Sequence, residues 1–311
     1  MKEFDFRPAP WIPFKDEEVL EKVRKIGPEE ITKHSNPDFR INLVEDDELE
    51  LIWMADMFYR IKRSDEENKK LVMILPNPAP TYMKVAYLIN KFRVSCRNVF
   101  TFNMDEWADD QGRIAGEEYP QGFLNSTLRF LYNKIDPTLR MPRENIIAPT
   151  TGNIRDYSSM IIDAGGADIC YSGPGWAGHL AFIDPDVPEF AAESLEQWKT
   201  YGARVVTLHP LTIAQNSLHG SFGASGDIAA VPPKAATIGP ADAIAAKNRM
   251  EFHGLTTAGT YVTWQRMISK LVLHGPVTPA VPSSILQTLD TDVYVTRTLA
   301  QKVEPLWNMQ Y

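Results

Sequence analysis

The chain is 311 residues long and sets 32 Lys and Arg against 40 Asp and Glu, a formal charge of −8. At 44 % apolar and 23 % charged residues it has the composition of a folded globular protein and not of a disordered one. The acidic balance argues against a nucleic-acid partner, whose phosphates need clustered Lys and Arg. A small anionic metabolite, which needs only a local cationic pocket, stays possible. Cys96 and Cys170 lie beside apolar, strand-like residues and read as buried thiols. No Cys/His spacing suits zinc, so no metal is expected. No apolar run approaches the ~20 residues that span a bilayer. The start, MKEFDFRPAPWIPF, lacks the apolar core of a signal peptide. The expected compartment is the reducing cytoplasm, with no membrane partner.

Residues 1–40 read as an arm added to one domain over 41–311. Pro8, Pro10 and Pro13 break any helix, while Trp11 and Phe14 are placed to pin the segment to the body. The charged stretch 15–30 suits a short helix ending at Gly27-Pro28. Over 46–63 the repeat of Leu49, Trp53, Met57 and Ile61 predicts a long helix, capped by Asp46 or Asp47. The continuous apolar run 71–76 predicts a strand covered on both faces. A helix follows, with Val85, Leu88, Ile89 and Phe92 on one side. Residues 99–104 form the next strand and run into Asp105, Glu106 and Trp107. Residues 108–118 read as a loop, and Pro120 opens a helix holding Leu124, Leu128 and Leu131. Further strands are expected at 167–173, 205–208, 235–239, 250–257 and 292–296. Between them fall a glycine-rich turn at 173–182, a flexible stretch at 220–227, and helices at 240–249 and 260–273, the last with Tyr261, Trp264, Ile268 and Leu271. This alternation predicts an α/β fold with a mostly parallel sheet and helices on both faces.

In such sheets ligands bind beyond the C-terminal strand ends. Those ends supply Asn77-Pro78-Ala79-Pro80-Thr81, then Asp105 and Glu106, then the segment from Pro174 to Asp184 with His179. Neighbouring carboxylates point to different sides, so one of Asp105 and Glu106 faces the crevice and suits a general base beside a carbonyl. The plainer reading is a solvated acidic loop, because Asp109 and Asp110 follow. Gly173, Gly175 and Gly178 let backbone approach a ligand. Asp184, five residues beyond His179, is placed to orient the imidazole; the alternative is a turn histidine satisfied by backbone. His34, His209 and His274 read as structural. His219 and His253 are further candidates for the same rim.

Together TFNMDEW (101–107) and GPGWAGHLAFIDP (173–185) resemble the glucosamine-6-phosphate deaminase/isomerase family, with signatures TFNMDEY and GxGxDGHIAFNEP. Weaker likeness runs through 141–146, 204–217 and 232–239. The second motif is shared with the related 6-phosphogluconolactonases. The resemblance implies a Rossmann-like three-layer α/β/α fold without cofactor, a small-molecule carbohydrate partner and a homo-oligomer, to which the arm aromatics (Phe4, Phe6, Trp11, Phe14) are suited. It implies ring opening, proton transfer between C2 and C1 and release of ammonia. Asp105 takes the place of the proton-transfer base and His179 that of the ring-opening histidine. Asp184 stands where the family has the glutamate that orients it. One methylene shorter, Asp184 is expected to need a bridging water or a backbone shift.

Several positions depart from the family. Ala177 replaces an aspartate two residues before the histidine. Asn77, Pro78, Ala79, Pro80 and Thr81 replace the TGGTP-like phosphate loop, and proline has no N–H to give. The lid arginine falls on Leu218, and a lysine after the strand at 250–257 falls near Ala258. Each charge-assisted contact is worth about 1.5–3 kcal/mol, so three losses abolish phosphate selectivity. Lys84, Arg204, Lys234, His219 and Arg249 are the basic residues that can compensate, and Trp176 adds an aromatic surface. Three functions fit these residues: a sugar isomerase or deaminase-like enzyme with a degraded phosphate site, an inactive carbohydrate-binding relative, or a lactonase-type hydrolase.

Overall fold

The run LVMIL becomes β2 (Leu71–Leu75), a strand with all five side chains buried. The computed structural model describes residues 6–255 and 263–307. Alternation along β2 divides its side chains between two apolar cores. Leu71, Met73 and Leu75 join one core with Leu49, Trp53, Met57, Ile61, Val85 and Ile89. Val72 and Ile74 join the other with Val23, Phe102, Tyr157, Ile268 and Leu271. One core on each face of the sheet makes the three layers. The stripe of four on α2 (Glu48–Glu66) is buried as its spacing predicts, each side chain contributing about 1.5–3 kcal/mol of transfer free energy. On α3 (Tyr82–Phe92) Val85 and Ile89 are buried. Phe92 instead lies 60 % exposed at the end of that helix, beside Phe58.

The main sheet has seven strands in the order β1-β10-β9-β6-β2-β3-β5, every neighbouring pair parallel. The remaining six are β1 (Phe39–Val44), β3 (Val99–Asn103), β5 (Ile146–Ile147), β6 (Ile169–Ser172), β9 (Arg249–His253) and β10 (Thr291–Thr296). Helix α1 (Glu17–Arg24), capped by the Asp16 carboxylate on Val19 N–H at 3.1 Å, packs on α9 (Gln265–His274). Helix α4 (Phe123–Phe130) begins after its N-cap Gly122 and not at Pro120.

A second, three-stranded antiparallel sheet was not expected. It orders β4 (Asp105–Ala108), β8 (Lys234–Thr237) and β7 (Arg204–Thr207) as β4-β8-β7. The sequence reading placed 205–208 and 235–239 in the parallel series and made Asp105–Trp107 a loop exit. Short apolar runs announce a strand but not its partner. Met104 is the hinge between the sheets: its N–H donates to the Leu75 carbonyl at 3.0 Å, and its carbonyl accepts from Ile238 N–H at 2.8 Å.

The boundary expected at residue 40 falls inside β1. Val23 and Ile31 are fully buried in the main core, and Phe14 packs against it. Trp11, expected to pin the segment, is 58 % exposed. Phe4, Ala258 and Tyr261 lie outside the described residues. The shorter helices α5 (Tyr157–Asp163), α6 (Leu195–Trp198), α7 (Pro210–Ser217), α8 (Pro240–Ala245) and α10 (Arg297–Ala300) complete the chain. No helix among the described residues is long and apolar enough to cross a membrane.

Candidate active site

Strands β2 and β6 are neighbours, but β3 lies on one side of the pair and β9 on the other. Such a switch point opens a crevice at the strand ends. Here it is a cleft of about 960 Å³, bordered by Asn77 after β2, Asp105 after β3, and Gly173 and His179 after β6. Three strand ends thus bring the expected acid and imidazole to one cavity.

His179 is held by a compact loop. Gly178 sits at φ +79°, and a Cβ there would come within 3.0 Å of Val281. Ala181 takes φ +51°, and Ile183 N–H bonds the Leu180 carbonyl at 3.0 Å. This turn returns Asp184 to the imidazole: Nδ1 lies 2.7 Å from Asp184 Oδ1. No bridging water is needed, so that expectation is corrected. The Thr212 hydroxyl donates to the same oxygen at 2.7 Å and lies 2.9 Å from Nδ1. Asp184 Oδ2 accepts from His209 N–H at 2.7 Å. An ionised carboxylate only accepts, which assigns the proton to Nδ1 and leaves the Nε2 lone pair free. That edge rests on Gly175, where a Cβ would stand 1.8 Å from Nε2.

Asp105 is 5 % exposed, and its Oδ1 has no hydrogen-bond partner. Burial, and then the charge of Glu106, push its carboxyl well above the usual range. Glu106 does a different job from the acid–base role expected of it. Its Oε1 accepts from Trp107 and Phe123 N–H at 2.9 Å each, and its Oε2 from Leu124 N–H at 2.7 Å. It pins the start of α4 to β4 and does not border the cleft. Burial, opposed by those three amides, brings it up to about 7.

His219 borders the cleft with Nε2 unpartnered. Burial, then His179, lower it to about 4, so the ring is neutral at pH 7. His253 is fully buried on Ser269 at 2.8 Å and does not reach the rim. His34 meets Gln287, His209 accepts from Leu211 N–H at the start of α7, and His274 meets the Ile31 carbonyl. Both thiols are buried, and burial pushes each up to about 12.

Asn77, Pro78, Ala79 and Thr81 border the cleft as expected. The loop has few donors to offer. Pro78 and Pro80 have none, and the N–H groups of Tyr82, Met83 and Lys84 go to the carbonyls of Ala79, Pro80 and Thr81 at 3.1, 3.1 and 2.9 Å. The Thr81 hydroxyl and the Lys84 ammonium both bond Glu50. Partial burial raises the Glu50 carboxyl, but these two partners outweigh it and hold the group below its ordinary value.

Four other expected binding residues do not border the cleft. Gly175 supports the imidazole, and Gly178 packs on Val281 and Ile268. Trp176 donates its N–H to Gln215 and stacks on Trp264 at 6.2 Å. Lys234 pairs with Ala108, at the opposite end of β4 from Asp105. Among the basic residues expected to compensate, Lys84 is taken by Glu50. Arg204 stacks on Phe190 and Tyr201, and Arg249 donates to four carbonyls. The residues the sequence hid are Glu50 and Trp53 on α2 and Ser126 and Arg129 on α4, all bordering the cleft. Arg129 is the one Lys or Arg among the described residues that line it. None belongs to a motif, and Trp53 also fits the core stripe. Among the described residues no three His, Cys, Asp or Glu side chains group as metal ligands would.

No family model matches the chain. It is similar to the glucosamine-6-phosphate deaminase of Lachnoclostridium phytofermentans, 26 % identical over 216 residues, which cover 68 % of this chain and 78 % of the relative. The Caenorhabditis elegans protein of the same name is 31 % identical over 183 residues, covering 58 % and 62 %. Among solved structures, a monomeric glucosamine-6-phosphate deaminase, described as a missing link of the NagB superfamily, superposes with a TM-score of 0.67. It is 20 % identical and covers 85 % of this chain and 99 % of that one. The 6-phosphogluconolactonase of Leishmania guyanensis gives 0.58 at 13 % identity, covering 85 % and 98 %. These two likenesses define the class of fold, a Rossmann-like three-layer α/β/α protein. The curated relatives, at 26–30 % identity, make the chain similar to the glucosamine-6-phosphate deaminases as a divergent relative.

Proposed function

We propose that the chain is a sugar isomerase or deaminase-like enzyme that moves a proton between C2 and C1, with a weakened phosphate site. The observation that carries this reading is an unpartnered Asp105 Oδ1 bordering the same cleft as His179. His179 Nε2 assists ring opening by moving the proton between the anomeric hydroxyl and the ring oxygen. Asp105 takes the C2 proton and returns it to C1 through an enediol or enolamine. Asp184 and Thr212 are positioning residues that fix the tautomer of His179. Burial of Asp105 suits the task, because a raised carboxyl is a stronger base once ionised. Isomerisation fits better than ammonia release, because Ala177 has no carboxylate to serve a leaving amine.

The test is deuterium wash-in. Candidate hexoses and hexosamines are incubated with the protein in D2O and followed by NMR. The expected result is exchange at C1 or C2 that Asp105→Asn abolishes with melting unchanged. Exchange that persists in Asp105→Asn rejects the assignment. Ala177 also favours a second reading, an inactive carbohydrate-binding protein; tight sugar binding with no exchange in the wild type selects it.

A further inference from the structure

We propose that the cleft selects an unphosphorylated, hydroxyl-terminated sugar, and that Glu50 is the residue that excludes its phosphate ester. In taking a sugar as the ligand this rests on the reading above, but its evidence lies on the other wall of the cleft. An anion subsite needs free N–H groups or cations. Here Asp46, Asp47 and Glu50 border the cleft against Arg129 as the one Lys or Arg among its described lining residues. Two residues of the Asn77–Thr81 loop are prolines, and the first amides of α3 are already bonded. The Glu50 carboxylate itself sits at the start of α3, tied to Thr81 and Lys84. Lys84 is therefore already paired, and an arriving phosphate meets the carboxylates of Asp46, Asp47 and Glu50, of which Lys84 offsets one.

Apart from Asp46 Oδ1, whose sister oxygen accepts from Thr298, the groups left unsatisfied on this wall are neutral. Trp53 Nε1 is on a side chain 5 % exposed, Ser126 Oγ on one 3 % exposed, and the Asn77 amide nitrogen completes the set. All three border the cleft and have no partner. Buried polar atoms are rarely left without a bond, so a ligand that supplies oxygen atoms is the natural complement. Sugar hydroxyls both accept from the indole and amide N–H and exchange bonds with a serine hydroxyl. A site built around such bonds rejects analogues that cannot make them.

Isothermal titration calorimetry tests this with glucose, fructose and glucosamine against their 6-phosphates, in wild type, Glu50→Gln and Lys84→Met. In the wild type at least one free sugar should bind about tenfold or more tightly than its 6-phosphate, as one like charge a few ångströms away at a half-exposed position implies. Glu50→Gln should close most of that gap, and Lys84→Met, which leaves Glu50 uncompensated, should widen it. Circular dichroism checks that both variants are folded. Tighter binding of the 6-phosphate by wild type, a gap unmoved by both substitutions, or binding of neither class overturns the proposal. The two readings fail separately. Free-sugar preference without deuterium exchange sinks the proton-transfer reading alone; exchange confined to the 6-phosphate sinks this one alone.

Discussion

Around His179 the protein satisfies its own polar groups. Asp184 takes the imidazole, the Thr212 hydroxyl and the His209 amide, and Ser283 holds the His179 carbonyl at 2.8 Å. Around Trp53, Asn77 and Ser126 it leaves donors unused, and the nearby carboxylate of Glu50 is the group that is bonded. The first wall is a fixed tool, since proton transfer needs atoms placed before the substrate arrives. The second wall is incomplete without a ligand, as a recognition surface is. Asp105 belongs to the first by position and to the second by its unbonded Oδ1. It follows Met104, whose backbone bonds both sheets, and pairs with Thr237 in the second sheet, while its carboxylate is left for the substrate.

If the first wall works by rigidity, small changes there should be costly. Asp184→Asn keeps the shape but presents an amide to Nδ1, so the tautomer that frees Nε2 is no longer held. Turnover should fall about 10²–10⁴-fold, with stability down by about 1–3 kcal/mol for the weakened acceptor. Steady-state kinetics and thermal melting check both, and unchanged turnover breaks the comparison at its root. Gly175→Ala is the next largest. Its Cβ would stand 1.8 Å from Nε2 and must displace the ring. A shift of that kind costs about 10²-fold in kcat, while KM should hold because the second wall is untouched. A variant that raises KM and spares kcat would show that the two walls are not separate.

The same division decides how much could be read from the sequence. Asp105 and His179 lie immediately after apolar strand runs, so a switch-point argument places them without coordinates. Asp184 was legible from its spacing, although the φ +51° turn at Ala181 that makes it reach was not. The second wall was opaque because it joins residues of two helices distant in sequence, α2 and α4, with a loop residue between them. Trp53 obeys the core stripe of α2 and also borders the cleft, and no periodicity separates those two roles. Arg129 belongs to a helix with no motif. Residues 105–108 looked like a loop because the second sheet joins segments about 130 residues apart, which is invisible to local pattern. The arm's share in the core was hidden for a related reason: its prolines and charges outnumber the side chains that tie it to the core, Val23, Ile31 and Phe14 among them.

Glu106 tests the electrostatic side of the first wall. Folding raises its carboxyl from the ordinary 4.5 to about 7, with burial as the main cause. Between those values the folded form keeps a proton that the unfolded chain has released. Stability therefore falls as pH rises across that window. Glu106→Gln removes this slope, so the melting temperature should vary less between pH 4.5 and 7 than in wild type. It also removes the negative charge beside Asp105, whose carboxyl should move down. The rising limb of kcat/KM should then shift to lower pH. A limb that stays in place would mean that Asp105 is not the group being titrated.

The smallest expected effect is the most discriminating for the second wall. Arg129 lies exposed over the Phe130 ring, 5.3 Å from its centroid, with no ion pair among the described residues. Were a phosphate held in this cleft, Arg129 would be its natural partner. Arg129→Ala would then remove a charge-assisted bond worth about 1.5–3 kcal/mol, tenfold or more in KM. For a hydroxyl-terminated sugar the same change removes only an exposed cation that long-range screening already blunts. KM should move by less than about threefold, with kcat unaltered. A tenfold rise would reassign the recognition wall to an anion, whatever Glu50 does, while leaving the geometry around His179 with the same chemistry to perform.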